Sequence, residues 1–175
     1  MFDNEYRREN LAKPAIDITP TNAEKKFPWS KAADLNQFED EYSFKKVKVR
    51  GIFDFSKEFQ VEKTKNGEKG VQIITPFYTH LNEKDEECGI LVNRGWVPED
   101  LRYQRMHLNN TISGEIQGVL YRGDAKTKYS EPNEPMILRF THVEPYDFAL
   151  IAQLRNREEA SQFMLLQVDE DEKAR

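Results

Sequence analysis

The fold is decided by residues 59–77, FQVEKTKNGEKGVQIITPF, which predict a β-hairpin. Apolar and polar residues alternate from Phe59 onward, and this period of two is typical of a half-buried strand. The dipeptide Asn66-Gly67 follows, and both residues tolerate the positive φ that a tight turn requires. The alternation then resumes and continues to Phe77, so the two halves are expected to pair as antiparallel neighbours.

Further strand patterns lie on both sides of this hairpin, at residues 47–55, 89–93, 112–120 and 163–168. Residues 89–93 are apolar on both faces, which indicates a central strand covered on both sides. Glycines within 112–120 indicate a bulge or sharp coiling, as in small barrels. The expected core contains Val49, Phe53, Ile73, Phe77, Val92, Ile116 and Leu120.

The helices that the sequence predicts outside the strands are short. Residues 30–42 predict a short helix with Ser30 as the N-cap, and Thr141–Glu144 with Pro145 predicts a capping box for a second helix. The sequence therefore predicts an α+β domain. Its mostly antiparallel sheet of about six strands curls into a small β-barrel, and one helix packs on it.

The chain has the length of one ordinary domain with arms. Residues 1–29 contain Pro14, Pro20 and Pro28 and no sustained helical period, so they predict an extended arm. We therefore divide the chain into an extended N-terminal arm with a short helix (1–41), a β-rich domain (42–168) and an acidic tail (169–175).

The net charge of −5 comes from the two ends of the chain, because basic and acidic residues balance between positions 42 and 168. A neutral body with acidic ends argues against nucleic-acid binding and against docking on an anionic membrane surface. No stretch of about 20 apolar residues is present, so we expect no direct membrane span. Cys88 is the one cysteine, which excludes an intrachain disulfide.

Residues that could carry chemistry are scattered. His80, His107 and His142 have no metal-ligand spacing, and Cys88 lies in an acidic loop that raises a thiol pKa. Asp54 and Glu58 have the spacing of a capped turn rather than an acid–base pair. The sequence therefore predicts no catalytic residue, no metal site and no cofactor, and a protein that is not an enzyme.

The densest segment is Ile90–Pro98, where a buried strand leads into Arg94, Gly95 and Trp96. Gly95 permits a backbone break, and Trp96 offers a large anchor with one donor. A buried Arg94 needs a carboxylate or carbonyl partner. That partner lies within the fold if the segment is a strand terminus, or on another protein if the segment is a binding surface.

The same segment carries a family resemblance. Leu91-Val92-Asn93-Arg94-Gly95-Trp96-Val97-Pro98 resembles the signature of the Surfeit locus protein 1 family. Weaker similarities follow the family's order along residues 42–168, at Val47–Asp54, Thr75–Phe77, Gly114–Gly118, Pro132-Asn133 and Asp147–Ala152.

The resemblance implies a β-rich domain on the intermembrane-space side of the mitochondrial inner membrane, with a non-catalytic role in cytochrome c oxidase biogenesis linked to haem a. Family members usually carry two transmembrane helices, and a haem-binding histidine proposed for bacterial relatives lies in the second. This sequence has no counterpart of either helix. We therefore expect a peripheral protein, and none of its three histidines inherits that role.

Three hypotheses follow. The first is a constitutive accessory subunit of cytochrome c oxidase, stably docked on the oxidase subunits with its polar arms over its neighbours. The second is a transient assembly factor that aids haem a insertion, and the third is an unrelated β-barrel binding module. The candidate partner-binding residues are Arg94, Trp96, Phe27 and Trp29, the last two of which also fit an arm anchored in a pocket.

Overall fold

The computed structural model describes residues 13–102, 113–124, 133 and 140–167. Within them, the strands are β1 Ile16–Asp17, β2 Val47–Phe53, β3 Phe59–Lys65, β4 Glu68–Leu81, β5 Glu87–Pro98, β6 Ser113–Tyr121 and β7 Met164–Gln167. The helices are α1 Leu35–Tyr42, α2 Pro145–Ile151 and α3 Arg157–Gln162. Short 3₁₀ turns occupy Pro28–Lys31, Phe55–Lys57 and Glu99–Leu101.

The strands form one sheet in the order β1-β2-β6-β7-β5-β4-β3. A second pairing of β2 with β4, at Ile52↔Tyr78 and Phe53↔Phe77, closes β2, β6, β7, β5 and β4 into a barrel. The β1–β2 and β5–β7 pairs are parallel, and the other pairs are antiparallel. The predicted α+β fold with a small barrel is confirmed.

The β3–β4 hairpin follows the sequence pattern. Its register runs from Phe59↔Ile74 to Lys65↔Glu68, and Asn66 and Gly67 form the turn. Both turn residues have positive φ, 52° and 80°, as a two-residue turn between twisted strands requires. The turn chemistry therefore fixes the register of the longest strand in the barrel.

The two faces of β5 enter different apolar clusters. Val92 packs inside the barrel with Val49, Phe77 and Leu165, whereas Leu91 packs outside it against the helices and Phe148. Residues 91 and 92 point to opposite faces because a strand has a period of two. The predicted central strand, covered on both sides, is confirmed.

The predicted core is confirmed for six of its seven members, which are Val49, Phe53, Ile73, Phe77, Val92 and Leu120. Ile73 belongs to a separate small cluster with Val71 and Val97. Ile116 is only half-buried, because its side chain borders an open cleft.

The N-terminal helix begins later than predicted. Helix α1 starts at Leu35, and its N-cap is Asp34, whose carboxylate accepts a hydrogen bond from the backbone N–H of Asn36 at 2.9 Å. Ser30 is not the cap, because it lies in a 3₁₀ turn and donates to Glu159 instead.

Residues 13–42 pack on the barrel of their own chain. Ile16 donates its backbone N–H to the Lys46 carbonyl at 3.0 Å, and β1 continues the sheet beside β2. Phe27, Trp29 and Phe38 then join the core cluster inside the barrel. The described part of the arm is therefore an integral layer of the fold. Residues 1–12 lie outside the described residues.

The C-terminal helices also differ from the prediction. Thr141 is not the N-cap, because α2 begins at Pro145 and Glu144 occupies the N-cap position. The backbone N–H of Thr141 donates to Asn133 Oδ1 at 2.8 Å. Helix α2 ends at Ile151, and Gln153 takes a left-handed φ of 60°. Helix α3 was not predicted. The last strand is confirmed as β7, and Val168 lies outside the described residues.

Candidate functional site

The segment that resembles the family signature contains a β-bulge. Asn93 pairs with Ile74 and Trp96 with Gln72, so Arg94 and Gly95 together oppose the single residue Ile73. Gly95 has a φ of 115°, a conformation that glycine adopts without strain. The bulge changes the direction of the strand between the charged side chain of Arg94 and the aromatic side chain of Trp96.

Asn93 holds the bulge in place. Its side chain is buried, its Oδ1 accepts the backbone N–H of Gly95 at 2.9 Å, and its Nδ2 donates to the Tyr121 hydroxyl at 3.0 Å. This buried amide therefore satisfies one backbone donor of the bulge and ties β5 to β6. The sequence analysis did not single out Asn93, although its place between Val92 and Arg94 interrupts the apolar run.

Arg94 lies almost wholly out of water, with 9% of its side chain exposed. Its Nη1 donates to Glu58 Oε2 at 3.4 Å, and its guanidinium lies 5.3 Å and 5.0 Å from the ring centres of Phe53 and Phe55. Burial lowers the pKa of the Arg94 guanidinium, and the Glu58 carboxylate opposes that shift. Of the two partners that the sequence left open for Arg94, the structure shows the one within the fold, Glu58.

Asp54 and Glu58 play different roles. The Asp54 carboxylate caps the following 3₁₀ turn, as predicted, by accepting the backbone N–H of Ser56 at 3.1 Å. It also accepts the Tyr78 hydroxyl at 2.7 Å. Burial works to raise the pKa of Asp54, but these hydrogen bonds hold it below the usual value. Glu58 instead binds Arg94 and the hydroxyl of buried Thr75 at 3.2 Å.

A cleft of about 380 Å³ opens beside Arg94. It lies where β5 and β6 separate past the end of β7, and its walls are formed by Phe53, Phe77, Arg94, Ser113, Gly114, Glu115, Ile116 and Gln167. Arg94 is therefore both paired within the fold and part of a concave surface.

Trp96 is half-buried on a different set of neighbours. Its Nε1 donates to the Lys63 carbonyl at 2.9 Å, and Lys65 Nζ lies 5.6 Å from its ring centre. Its ring lies so close to Gly70 that a Cβ there would come within 2.4 Å of it. Arg94 and Trp96 share none of these contacts, so the structure does not bring them into one site.

Phe27 and Trp29 are inside the fold, with 0% and 1% of their surfaces exposed. Their rings stack with centroids 4.6 Å apart, and Trp29 Nε1 donates to the backbone carbonyl of Glu159 at 2.8 Å. Their assignment to a partner surface is wrong, because both side chains bind this chain's own core. The alternative expectation, an arm anchored in a pocket, describes them correctly.

A cluster around Glu159 was missed by the sequence analysis. Its Oε2 accepts the backbone N–H of Phe27 at 2.8 Å and the Ser30 hydroxyl, and its Oε1 accepts Asn156 Nδ2 at 2.9 Å. The Asn156 side chain also accepts the backbone N–H of Gly89 at 2.9 Å and donates to the Gly89 carbonyl at 2.8 Å. The Asn-x-x-Glu spacing is a helix-start signal that could have revealed α3.

The described histidines and the cysteine do not assemble into a metal centre. Among the residues that the structure describes, no three His, Cys, Asp or Glu side chains are grouped to hold an ion. Cys88 is buried, and burial, followed by the Glu159 charge, raises the pKa of its thiol. His107 lies outside the described residues.

No helix formed by the described residues is both long and apolar enough to cross a membrane.

The fold and site define a small closed β-barrel with a bulged strand, a largely buried Arg–Glu pair and an N-terminal layer anchored by aromatic residues. A sequence model of the SURF1 family matches residues 4–175. The chain belongs to the SURF1 family.

Individual relatives agree with that membership. Surfeit locus protein 1 of Xenopus tropicalis is 30% identical over a match that covers 54% of this chain and 36% of that protein. Surfeit locus protein 1 of Gallus gallus is 36% identical, with coverage of 55% and 34%. Surfeit locus protein 1-like of Arabidopsis thaliana is 39% identical, with coverage of 35% and 17%. The chain spans about a third of the length of the two vertebrate relatives.

Proposed function

We propose that this chain is an assembly factor that meets cytochrome c oxidase transiently during its biogenesis. The observation that carries the proposal is the match to the SURF1 family along residues 4–175. The role in oxidase assembly, linked to haem a insertion, is what the resemblance of the octapeptide Leu91–Pro98 implies. The hypothesis of an unrelated binding barrel is wrong, because the chain belongs to this family.

The packing of the arm favours the transient role over a constitutive subunit. The subunit hypothesis has polar arms that lie over neighbouring subunits, and Phe27 and Trp29 were the candidate contacts on the N-terminal arm. Both anchors are instead buried at 0% and 1% exposure in this chain's own core. Because the aromatic side chains of residues 13–42 pack within the fold, this part of the arm supports the transient role rather than permanent docking.

We propose that the chain works by binding rather than by turnover. Three partly or fully buried carboxylates, Asp54, Glu58 and Glu159, are engaged in contacts that hold a turn, an arginine and the arm. A general acid or base must be free to exchange a proton with a substrate. Because these three carboxylates are engaged in contacts within the fold, they support a binding role rather than turnover.

The cleft beside Arg94 is the proposed contact site for the oxidase or an assembly intermediate. Arg94 presents five donors, and the contact with Glu58 occupies one of its nitrogens at a long 3.4 Å. A carbonyl or carboxylate of a partner that enters the cleft can therefore bind the remaining donors. Trp96, half-buried and away from this cleft, stays a separate partner-binding prediction.

We place the protein at the mitochondrial inner membrane, peripheral on the intermembrane-space side, as the family resemblance implies. Its partners in this proposal are oxidase subunits, met before the enzyme is complete.

The test is recovery of the tagged protein from native membranes in mild detergent, with partner stoichiometry read by mass spectrometry. The proposal predicts substoichiometric recovery of oxidase subunits, dominated by the largest catalytic subunit and other assembly proteins. Near-equal recovery of all core subunits with haem a would instead support a permanent subunit. Absence of every oxidase subunit would contradict the proposed function.

A further inference from the structure

A second concave surface lies at the opposite end of β4 from the hairpin turn. This groove of about 860 Å³ runs between the loop before the first 3₁₀ turn, the β4–β5 turn and helix α3. Trp29, His80 and Cys88 contribute to its floor, because they are buried or half-buried. The side chains along its rim are Lys25, Lys26, Tyr146, Arg155, Arg157 and Glu158.

The rim carries an excess of positive charge on a chain whose net charge is −5, because it has four basic side chains and one carboxylate, that of Glu158. Arg155 is paired with Glu86 at 3.1 Å, but that pair is largely exposed and contributes little. Among the described residues, Lys25, Lys26 and Arg157 form no ion pair. The groove therefore concentrates positive charge where an anionic ligand would be attracted.

The fold holds the backbone of the loop that carries the two lysines. Lys25 has a left-handed φ of 55°, and its backbone N–H donates to the Thr21 carbonyl at 2.8 Å. The Lys25 backbone also interacts with the His80 ring. Two residues later, the backbone N–H of Phe27 binds Glu159. A loop fixed in this way has little backbone conformational entropy to lose when its lysines bind a ligand.

The groove also offers an aromatic contact. Tyr146 is 56% exposed on the wall formed by α2. A tyrosine in this setting supplies apolar area and a polar tip. The combination of fixed cations and an exposed ring suits a segment that carries both carboxylates and an apolar side chain.

We infer that this groove binds an acidic, extended segment of a partner protein. Its concave, cation-lined shape fits a peptide chain, which can carry several carboxylates along one extended segment. The inference goes beyond the proposed function, because the groove is separate from the Arg94 cleft and does not depend on which complex supplies the segment.

The test is fluorescence anisotropy of the full chain with a labelled ten-residue peptide that alternates glutamate with leucine and tyrosine. We expect binding at 50 mM salt that weakens at least tenfold at 200 mM, and a further tenfold loss in the double variant K26E/R157E. The double variant Lys69→Glu with Lys65→Glu, at the far hairpin turn, has the same charge change and is expected to retain binding.

A peptide with lysine in place of glutamate completes the design. It should bind K26E/R157E more tightly than the unchanged protein, which separates charge recognition from loss of folding. Circular dichroism at the assay temperature verifies that each variant is folded. The inference is overturned if the acidic peptide fails to bind, if K26E/R157E binds it equally well, or if vesicles with 30% anionic lipid bind this groove and the peptide does not.

Discussion

Two buried or largely buried side chains of the described residues, Glu159 and Arg94, have their polar groups satisfied in opposite ways. Glu159 accepts hydrogen bonds from neutral donors: a backbone N–H, a hydroxyl and an amide. Arg94 has an opposite charge beside it, Glu58, and two phenylalanine rings against its guanidinium. The hydrogen bonds of Glu159 join the N-terminal arm to helix α3 and its N-cap, whereas the contacts of Arg94 leave guanidinium donors beside an open cleft.

The difference separates a structural centre from a binding candidate. The contacts of Glu159 span about 130 residues of sequence, from Phe27 and Trp29 to α3. They cannot be exchanged without releasing the N-terminal layer. The Arg94–Glu58 pair is long and lies beside the cleft, so we propose that a ligand can replace Glu58 at Arg94 with the barrel intact. The predictions below are designed to break or sharpen this contrast.

The largest effect is expected from Trp29→Ala. Removing this fully buried ring, which also donates to the Glu159 carbonyl, should lower the free energy of unfolding by about 3–5 kcal/mol. Guanidinium denaturation measures the loss. Tyr146→Ala removes an aromatic side chain that is 56% exposed, and it should change stability by less than about 0.5 kcal/mol. Equal losses in the two variants would refute the buried position of the arm.

The next effect concerns Glu159→Ala, which leaves three donors without their acceptor. We expect a loss of about 2–3 kcal/mol and faster trypsin cleavage after Lys25 and Lys26, because the arm is released. The neighbouring exposed variant Glu158→Ala is the matched control and should stay within about 0.5 kcal/mol. Unchanged proteolysis in Glu159→Ala would show that this carboxylate does not hold the arm.

A smaller effect is expected at the Arg94–Glu58 pair. A double-mutant cycle with alanine at both positions should give a coupling of about 1–2 kcal/mol, because the pair is mostly but not fully desolvated. Arg50–Glu115 has the same 3.4 Å separation, but Arg50 is 73% exposed, so its cycle should give less than about 0.5 kcal/mol. Equal coupling energies would mean that burial adds nothing to the Arg94 pair.

The smallest effect is the pH dependence of His80. Burial lowers the pKa of this imidazole, although the Glu159 charge and the interaction with the Lys25 backbone oppose the shift. The unfolded chain therefore binds the proton more readily, and stability falls as the pH drops below about 6.5. His80→Gln should lose less thermal stability than the unchanged protein between pH 7.5 and 5.5. Parallel curves for the two proteins would rule out a contribution from His80.

The strands of the barrel could be predicted because each has a recognisable pattern within its own stretch of sequence. Asn66-Gly67 fixes the hairpin, and the doubly apolar run after Gly89 identifies the central strand. Periodicity says nothing about which strands meet across the barrel, so the closure of β2 on β4 and the parallel β5–β7 pair could not be derived from it.

The errors have a common physical origin in long-range contacts. Phe27 and Trp29 are preceded by polar and proline-rich sequence, which suggested an exposed arm, but their acceptor, Glu159, lies 130 residues away. Arg94 was correctly expected to need a partner, although sequence alone did not identify Glu58 as that partner. The short helix α3 lacks an apolar period, because only Glu159 and Ala160 of its six residues are buried.

The contrast between the two centres is tested most directly in cells that lack their own copy of the protein. The account predicts that Arg94→Ala, produced at the abundance of the unchanged protein, lowers assembled cytochrome c oxidase several-fold. Glu158→Ala should restore it fully, and Glu159→Ala should reduce oxidase only in proportion to its own lowered abundance. A normal oxidase content with Arg94→Ala would contradict the assignment of the Arg94 cleft as the functional surface.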